Sequence, residues 1–507
     1  MFRRIFQKLR QVMYRMGLIK GIREATDLRD IPIDEDHYRR VDMWNSLYRG
    51  YYEKWHKINY HTLSGPKTRQ MDRLDMPKVV AHEMASLIFN ERCIINIDGS
   101  ISDKIHEVLK RNHFYKQFQR YLEYAFALGG MAMKVYADHQ GVKISYVTAD
   151  CFIPISYSNN EIREAVFLNE IVKGDKYYTL LEWHTWEGNT YVIKNELYES
   201  EQKGELGINV SLSTLYPNLE EEVRIDGLSR PLFVYIKPNT ANNFDMHSPL
   251  GISIYANALG TLKAIDVAFD SFNREFRLGK KRIIVPATAV RTVIDRDTGT
   301  HHRYFDANDE VFQAFDFMDD NSQKIYDNSV EIRVEEHAKA IQTLLDILAM
   351  QVGFSAGTFT FDSQGVKTAT EVVSENSKTF RTKNSHEMIV EEGIKELITS
   401  IVEVAALYGF FYASEDYEVN IDFDDSIAED RDSNADYYLK LTNGGLISKK
   451  TAMMRVLDFT EEQAEEELRR IAEENRTATA EAIDFFGMGG TERERQEQRD
   501  EDQGDDA

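Results

Sequence analysis

Two stretches of the chain carry an unbroken helical repeat of apolar positions. In the first, apolar residues recur three and four apart, which predicts an amphipathic helix over about 252–278. The second repeat predicts another helix over about 336–352. The first stripe consists of Tyr255, Ala258, Leu262, Ile265, Phe269, Phe272 and Phe276, and the second of Ala338, Ile341, Leu345, Leu348 and Val352. The opposite face of the first helix carries Lys263, Asp266, Asp270, Asn273, Arg274 and Arg277.

A short β-rich insert separates these two helices. Runs of β-branched and aromatic residues alternate there with loops rich in Asp, Asn and Gly, which is typical of short strands. The strand candidates are Arg282–Pro286, His302–Phe305, Val311–Phe315 and Val330–Val334. The sequence therefore predicts a pair of helices that bracket a small β module.

The first 240 residues change from helical to β periodicity partway along. Helices are predicted over 37–60 and 76–91, and one or two more over 101–128. From 129 to 240, β-rich runs separated by Gly, Asn and Asp predict an antiparallel β region. The runs are Met131–Ala137, Val142–Val147, Ala165–Ile171, Tyr177–Trp186 and Tyr191–Tyr198.

The chain after 352 begins with a loop and then becomes helical. Glycines and alternating Thr and Phe predict a loop or hairpin over Gly353–Gly365, and a long helix follows over about 369–408. Residues 427–480 are predicted to be mostly helical, with a break at Gly444-Gly445. From 487 the polar, acidic tail has no apolar period, so we expect disorder. Together these elements predict an α+β protein.

The charge of the chain argues against tight binding of a polyanion. It has 61 Lys and Arg against 85 Asp and Glu, a formal net charge of −24. DNA-binding proteins that neutralise phosphates usually show a basic face, so any DNA contact should be loose or local. The N-terminal segment Met1–Lys20 is basic and amphipathic. It predicts either a helix packed on protein or a membrane-surface contact, and its apolar runs are too short to span a membrane.

The sequence contains no complete motif for catalysis or cofactor binding. The chain lacks a complete phosphate-binding loop. Gly353-Phe-Ser-Ala-Gly357 has the spacing of a nucleophile elbow but follows a predicted helix instead of a strand. Asp422, Asp424 and Asp425 form a carboxylate cluster that predicts either a divalent ion site or a solvated turn. The two cysteines do not form a disulfide framework. We therefore expect neither an enzyme nor a cofactor.

The order of these elements resembles the portal proteins of tailed double-stranded DNA bacteriophages, in particular the branch found in long-tailed phages of Gram-positive hosts. The resemblance covers about residues 35–480. Four segments carry it, namely MPKVVAHEMASLIFNE at 76–91, SPLGI at 248–252, DSFNREFRLGKKRIIVP at 270–286 and TATEVV at 368–373.

The resemblance implies a portal fold with a helical wing and an antiparallel β region, a two-helix stem, a small α/β clip, a long wing helix and a helical crown. It divides the chain into an N-terminal basic amphipathic segment (1–36), wing (37–250), first stem helix (251–279), clip (280–335), second stem helix (336–352), tunnel loop (353–366), long wing helix with a following strand (367–426), crown (427–486) and disordered acidic tail (487–507).

The resemblance also implies a ring of about twelve copies at one capsid vertex. If twelve helices stand about 10 Å apart, their centre line is about 38 Å across. Subtracting a helix diameter of about 10 Å leaves a bore near 28 Å, which admits a hydrated duplex. Such a channel must not grip DNA, because each neutralised phosphate adds affinity.

Some residues are candidates for contact with DNA or between subunits. Thr358, Phe359, Thr360, Phe361, Asp362, Ser363 and Gln364 are candidates for a tunnel loop at the duplex, or alternatively for a loop packed on the next subunit. Arg274, Arg277, Lys280 and Lys281 are candidate basic points of the channel, or alternatively ion pairs with a neighbour or the clip. Tyr255, Leu262, Ile265, Phe269, Phe272, Phe276, Ile341, Leu345 and Leu348 are predicted to pack the stem.

The implied function is a channel for packaging and ejecting double-stranded DNA. The implied partners are other copies of the chain, double-stranded DNA, the terminase large subunit, head-completion or adaptor proteins, and scaffolding and major capsid proteins, with no membrane. The implied location is the portal vertex of the virion after assembly in the host cytoplasm. Two alternatives remain: a peripheral membrane or cell-envelope structural protein anchored by Met1–Lys20, and a metal-dependent nuclease that uses the carboxylate cluster.

Overall fold

The structure is a computed structural model of the 507-residue chain. It describes residues 34–62, 65–90, 93–279, 283–286, 292–294, 301–303, 312–315, 326–327, 331–360, 369–413, 417–423, 431–457, 459 and 463–473. The predictions for Met1–Lys20, the tail from 487, Lys280, Lys281, Phe361–Gln364, Asp424 and Asp425 lie outside the described residues. The chain forms two compact units, one of residues 1–365 and 375–424, the other of 366–374 and 425–507.

The first helix of the larger unit is shorter than the sequence predicted. Helix α1, Glu35–Tyr48, begins at Asp34, whose carboxylate accepts a hydrogen bond from the His37 amide at 3.0 Å. After the short helix α2, Glu53–His56, the chain forms strands β1, Lys57–Thr62, and β2, Gly65–Gln70. These pair as an antiparallel hairpin with Lys57 opposite Gln70. The predicted continuous helix over 37–60 is therefore wrong beyond residue 48, where local helical spacing gives way to a hairpin.

Three further helices and a strand complete the helical part of the predicted wing. They are α3, Met76–Ile88, β3, Ile94–Ile97, α4, Ser102–Arg111, and α5, Phe114–Leu128. Proline at the second position of α3 suits a helix start, because the first turn needs no partner for that amide. The faces of α3 and α5 that carry Val80, Met84, Phe118 and Leu122 are buried together in the main core. The prediction of one or two helices over 101–128 is confirmed as two.

The antiparallel β region is confirmed. Strands β4 to β12 are Met131–Asp138, Gly141–Thr148, Phe152–Ser158, Glu161–Lys173, Lys176–Glu187, Thr190–Ser200, Ile208–Val210, Glu222–Asp226 and Phe233–Ile236. They form two antiparallel sheets in the orders β12-β4-β5 and β10-β9-β8-β7-β6, with β11 paired to β9. Alternate side chains from both sheets fill a second core, including Phe152, Phe167, Trp183 and Phe233.

The long helix after the β region starts later than predicted. Helix α6, Leu259–Leu278, follows a single 3₁₀ turn at Ala256–Ala258. Tyr255 therefore lies before the helix, although it is fully buried and its hydroxyl donates to the Trp44 carbonyl at 3.0 Å. The backbone at Gly251 crosses that at Gly129 so closely that a Cβ on Gly251 would lie 2.3 Å from the Gly129 carbonyl oxygen. This crossing explains the glycine before the helix.

The β insert and the helix that follows it agree with the sequence in most respects. Strands β13 to β17 are Ile283–Pro286, Thr292–Ile294, His301–Arg303, Phe312–Phe315 and Tyr326–Asp327. β13 pairs in parallel with β16 and antiparallel with β17. Helix α7 spans Val334–Val352. The predicted strand at Val330–Val334 is wrong, because residues 331–333 are not in a strand and Val334 already begins α7.

The C-terminal third is mainly helical, as predicted. Helix α8 is Ala369–Leu407, and strand β18, Val419–Asp422, pairs antiparallel with β3. In the smaller unit, α9, Arg431–Asn443, and α10, Lys449–Val456, are separated by a turn at Gly444 and Gly445. Residues 463–473 are also helical.

Candidate functional site: the two-helix stem and its loop

Helices α6 and α7 pack against each other in opposite directions. The C-terminal end of α6 contacts the start of α7 through Glu275 and His337, and the 3₁₀ turn before α6 contacts α7 as well. Most of the predicted stem-packing residues face the core. Leu262, Ile265, Ile341, Leu345 and Leu348 are buried, and Phe269 and Phe272 are partly buried against them. Phe276 differs, because 43% of it is exposed.

One carboxylate joins the two helices at the end near the insert. Glu275 accepts hydrogen bonds from the Arg333 amide at 3.0 Å and from its guanidinium at 3.0 and 3.1 Å. The His337 ring contacts the same carboxylate. These bonds, chiefly those from Arg333, lower the pKa of Glu275 to about 2. The carboxylate is therefore ionised at any physiological pH and holds the two helix ends together.

Asp266 and Asp270 correct the prediction for the polar face of α6. The sequence placed both on the solvent side, but the structure buries them to 6% and 5% exposure. Asp270 accepts two hydrogen bonds of 2.6 Å from the Arg69 guanidinium and one of 3.0 Å from the Asp72 amide. The bonds from Arg69 are the main reason that the pKa of Asp270 is lowered.

Asp266 binds the segment on either side of the β1–β2 hairpin. Its carboxylate accepts a hydrogen bond from the Leu74 amide at 3.0 Å and contacts Nε2 of buried His56 at 3.1 Å. The other ring nitrogen of His56 accepts a hydrogen bond from the Tyr52 amide at 2.9 Å, so Nε2 carries the proton and donates to Asp266. The stem helix is thus fixed to the hairpin by two buried aspartates.

An open groove of about 680 Å³ runs between α6 and the segment after the hairpin. Its lining combines aromatic and charged side chains, namely Gln70, Met71, Asp72, Arg73, Asp75, Phe269, Asn273, Phe276 and Arg277. Arg277 pairs with Asp72 at 3.2 Å, while its side chain stays 69% exposed. Arg274 is exposed, and within the described part of the chain it makes no ion pair.

The loop after α7 is held by its own contacts as far as residue 360. Phe354 and Phe359 are buried, with ring centroids 5.3 Å apart. The Gln342 side chain donates to the Phe359 carbonyl at 3.0 Å, and Asp346 accepts from the Gly357 amide at 3.0 Å. The first half of the predicted tunnel loop is therefore fixed on α7 through Gly357 and Phe359, while Thr358 and Thr360 are exposed.

The remaining motif candidates do not form a reactive site in the described residues. Ser355 is buried and exchanges hydrogen bonds with Thr379, and it follows helix α7, so its setting is not that of a nucleophile elbow. Asp422 accepts a hydrogen bond of 2.5 Å from Asn96 at the edge of β18. Across the described ranges, three or more potential metal ligands do not come together. No described helix is long and apolar enough to cross a bilayer.

Comparison with known proteins assigns the chain to a class defined by this architecture. The sequence model of the family described as "Phage portal protein, SPP1 Gp6-like" matches residues 28–481. The chain therefore belongs to the phage portal protein family. The narrower assignment to the branch of Gram-positive hosts stays a prediction.

Structural comparison finds similar chains in solved structures, among them one in "Neck of native GTA particle computed with C12 symmetry". The two chains share 11% sequence identity with a TM-score of 0.34, over 75% of this chain and 88% of that chain. No curated protein is significantly similar to the chain.

Proposed function

We propose that the chain is a portal subunit that forms a ring of about twelve copies around a channel for double-stranded DNA at one capsid vertex. The observation that carries this proposal is the match to the portal family over residues 28–481. This family is structural, which agrees with the lack of a phosphate loop in the sequence. The stem pair of α6 and α7 supplies the parallel array of helices that a ring of subunits needs.

The channel we propose is passive. The chain is strongly acidic, with a net charge of −24, so its average surface repels the duplex. Weak interaction favours sliding, because every phosphate neutralised by Lys or Arg strengthens binding. The energy for DNA movement then comes from an ATPase partner, which we propose to be the terminase large subunit.

The part of the chain that meets the duplex is proposed to be the tunnel loop around 358–364. Its base is fixed, because Phe354 and Phe359 pack together and Asp346 holds the Gly357 amide. The alternative role of the loop is packing on the next subunit, in which case deletion of 361–364 would impair ring formation.

Contact between DNA in the channel and the basic side chains near the stem–clip junction stays a prediction. Arg277 already pairs with Asp72 of the same subunit, a partner that lies neither in the clip nor on a neighbour. The other proposed partners follow from the family: head-completion or adaptor proteins would bind the finished ring, and scaffolding and major capsid proteins would surround it in the virion.

Mass photometry of the purified chain tests the ring directly. A twelve-copy ring of a 58.7-kDa chain has a mass of about 700 kDa. At nanomolar concentration we expect one dominant species near that mass, or near the mass of a ring with one more subunit. A stable monomer across the whole accessible concentration range would contradict the proposal.

A further inference from the structure

The groove beside α6, which we call the stem groove, is an exposed surface with aromatic and charged residues. Phe276 in its lining is 43% exposed, and Leu278 beside it is 61% exposed. Clustered exposed apolar side chains usually mark a surface that another molecule covers. We propose that the first turn of α7 from the neighbouring copy occupies the stem groove. This inference rests on the proposed ring and names the contact between its subunits.

The stem groove lies on the side of α6 that is turned away from its own α7. Glu275 faces α7, since it binds Arg333 and His337. Asn273 and Arg277, which line the groove, are two residues before and after Glu275. At about 100° per residue they project about 160° away from it. The α7 helix of the same copy therefore cannot fill the groove, whereas the α7 helix of a neighbouring copy on that side can.

The first turn of α7 presents a matching surface on its own far side. His337 faces Glu275, so Glu335, two residues earlier, projects from the opposite side of α7. Glu335 and Glu336 are exposed. A ring needs two different surfaces on opposite sides of each subunit. The stem groove and the start of α7 meet that requirement.

The heights of the two surfaces along the stem also agree. Glu275 contacts Arg333 and His337 within one copy, so residues near 275 and residues 333–337 lie at the same level along the stem. Rotation about a ring axis moves each atom without changing its height. When the stem runs along that axis, Arg277 of one copy therefore lies level with Glu335 of the next copy without any sliding.

The charges of the two surfaces are complementary. Arg277 lines the stem groove and stays 69% exposed although it pairs with Asp72, and the start of α7 carries the exposed Glu335 and Glu336. The groove also contains Asp72 and Asp75, and α7 carries Lys339 one turn further on. Such pairing selects one register over others more than it adds affinity.

Disulfide trapping tests the contact in the full-length chain. Asn273→Cys and Glu335→Cys are combined, and the assembled protein is oxidised and run on a denaturing, non-reducing gel. We expect a ladder of covalent dimers, trimers and larger multimers, because each copy links to the next. Each single variant serves as control and should give no ladder. Rings that assemble normally but yield no ladder would overturn the contact while leaving the ring intact. Failure to form rings in the unmodified chain would instead overturn the proposed function.

Charge reversal gives an independent test. Glu335→Arg places a second cation beside Arg277 of the next copy, so it should lower the ring fraction by about tenfold or more at fixed concentration. Arg277→Glu places an acid beside Glu335 and should lower it as well, while it also removes the pair with Asp72 in its own copy. The double variant restores opposite charges and should recover most of the rings. Lys104→Glu, an exposed site on α4, is the matched control and should assemble normally. Single variants that assemble like the unmodified chain, or a double variant that is worse than both, would contradict the contact.

Discussion

Arg69 and Asp270, which are 201 residues apart in sequence, form a two-point ion pair in which each of two guanidinium nitrogens lies 2.6 Å from a different carboxylate oxygen. The pair joins the second strand of the hairpin to the middle of α6. Its carboxylate side chain is 7% exposed and its guanidinium side chain 24% exposed. Because the pair is largely removed from water, its loss should be costly for the stem.

Substitution Asp270→Asn should lower the free energy of unfolding by about 2 kcal/mol, because it leaves the Arg69 charge without its counterion. Urea unfolding followed by circular dichroism measures this change. Arg69→Met is the partner variant, and the double variant should lose less than the sum of the two single losses. Strict additivity would show that the two side chains do not interact in solution.

The same pair predicts a dependence on pH. Hydrogen bonds from Arg69 are the main cause that holds the pKa of Asp270 below its usual value of 3.8. The pair therefore contributes its full stability above that usual value and loses it as the pH falls through the lower, folded pKa. The stability difference between the unmodified chain and Asp270→Asn should shrink in that acid range.

A buried histidine on α8 should make the protein less stable in mild acid. Burial lowers the pKa of His386 from 6.5 to about 4, and its Nδ1 accepts a hydrogen bond from the Asn239 amide at 3.0 Å. Between these two values the unfolded chain binds a proton that the folded chain does not. This residue should therefore reduce stability by up to about 1.4 kcal/mol per pH unit as the pH falls from 6.5 to 4.

Substitution His386→Asn tests that assignment, because the asparagine oxygen can still accept the bond from Asn239 but does not titrate there. Urea unfolding at several pH values should show a shallower decline for the variant than for the unmodified chain. Burial also lowers the pKa of His37 to about 4, so part of the loss of stability in acid should remain in the variant. Equal slopes in both proteins would contradict the role of His386.

Periodicity in the sequence predicted the parts of the stem that depend on local pattern. The stripe of Leu262, Ile265 and Phe269 faces the core as expected, because burial of one apolar face is what the three-and-four spacing reflects. The same pattern misplaced Asp266 and Asp270. A helical wheel assigns charged residues to solvent. No local signal shows that Arg69 returns from about 200 residues away to pair with Asp270, or that His56 returns to donate a hydrogen bond to Asp266.

The remaining differences also have local physical causes. Tyr255 continues the apolar stripe, but the chain forms a 3₁₀ turn there before α6 begins. The helix predicted over 37–60 stops at Tyr48, and Lys57–Thr62 pair with the next strand instead. Hydrogen bonds to a neighbouring strand are set by the fold around a segment, so its own spacing does not reveal them. The stem groove was missed for the same reason, because half of its lining comes from residues 70–75.

The glycine at the end of α7 should be difficult to replace. Gly353 has φ of 92°, and a Cβ there would lie 2.6 Å from Cγ2 of Thr382 on α8. Gly353→Ala should therefore lower the free energy of unfolding by about 1–2 kcal/mol. The matched control is Gly260→Ala, an exposed helical glycine with nothing near its Cβ position, which should raise it by up to about 1 kcal/mol. Equal effects at both positions would argue against the close contact between α7 and α8.

Shortening the tunnel loop should separate assembly from DNA handling. Deletion of residues 361–364 leaves the packed base at Phe354 and Phe359 in place, so rings should form normally. DNA packaging, measured as nuclease-protected DNA in assembled capsids, should fall. A replacement of the same four residues by Gly and Ser is the control for length. Normal packaging by the deletion variant would show that the loop has no role in the channel. Loss of rings would show that the loop packs between subunits.

End-on images of the purified particle by negative-stain electron microscopy test the central claim most directly. We expect a ring of about twelve copies with a stain-filled centre near 28 Å across, the width estimated from helix spacing and diameter, and wide enough for a hydrated duplex. A difference map against particles tagged within the 287–291 segment of the insert should place the tag at the rim of that opening. A closed centre, or a tag on the outer circumference of the particle, would contradict a stem-lined DNA channel.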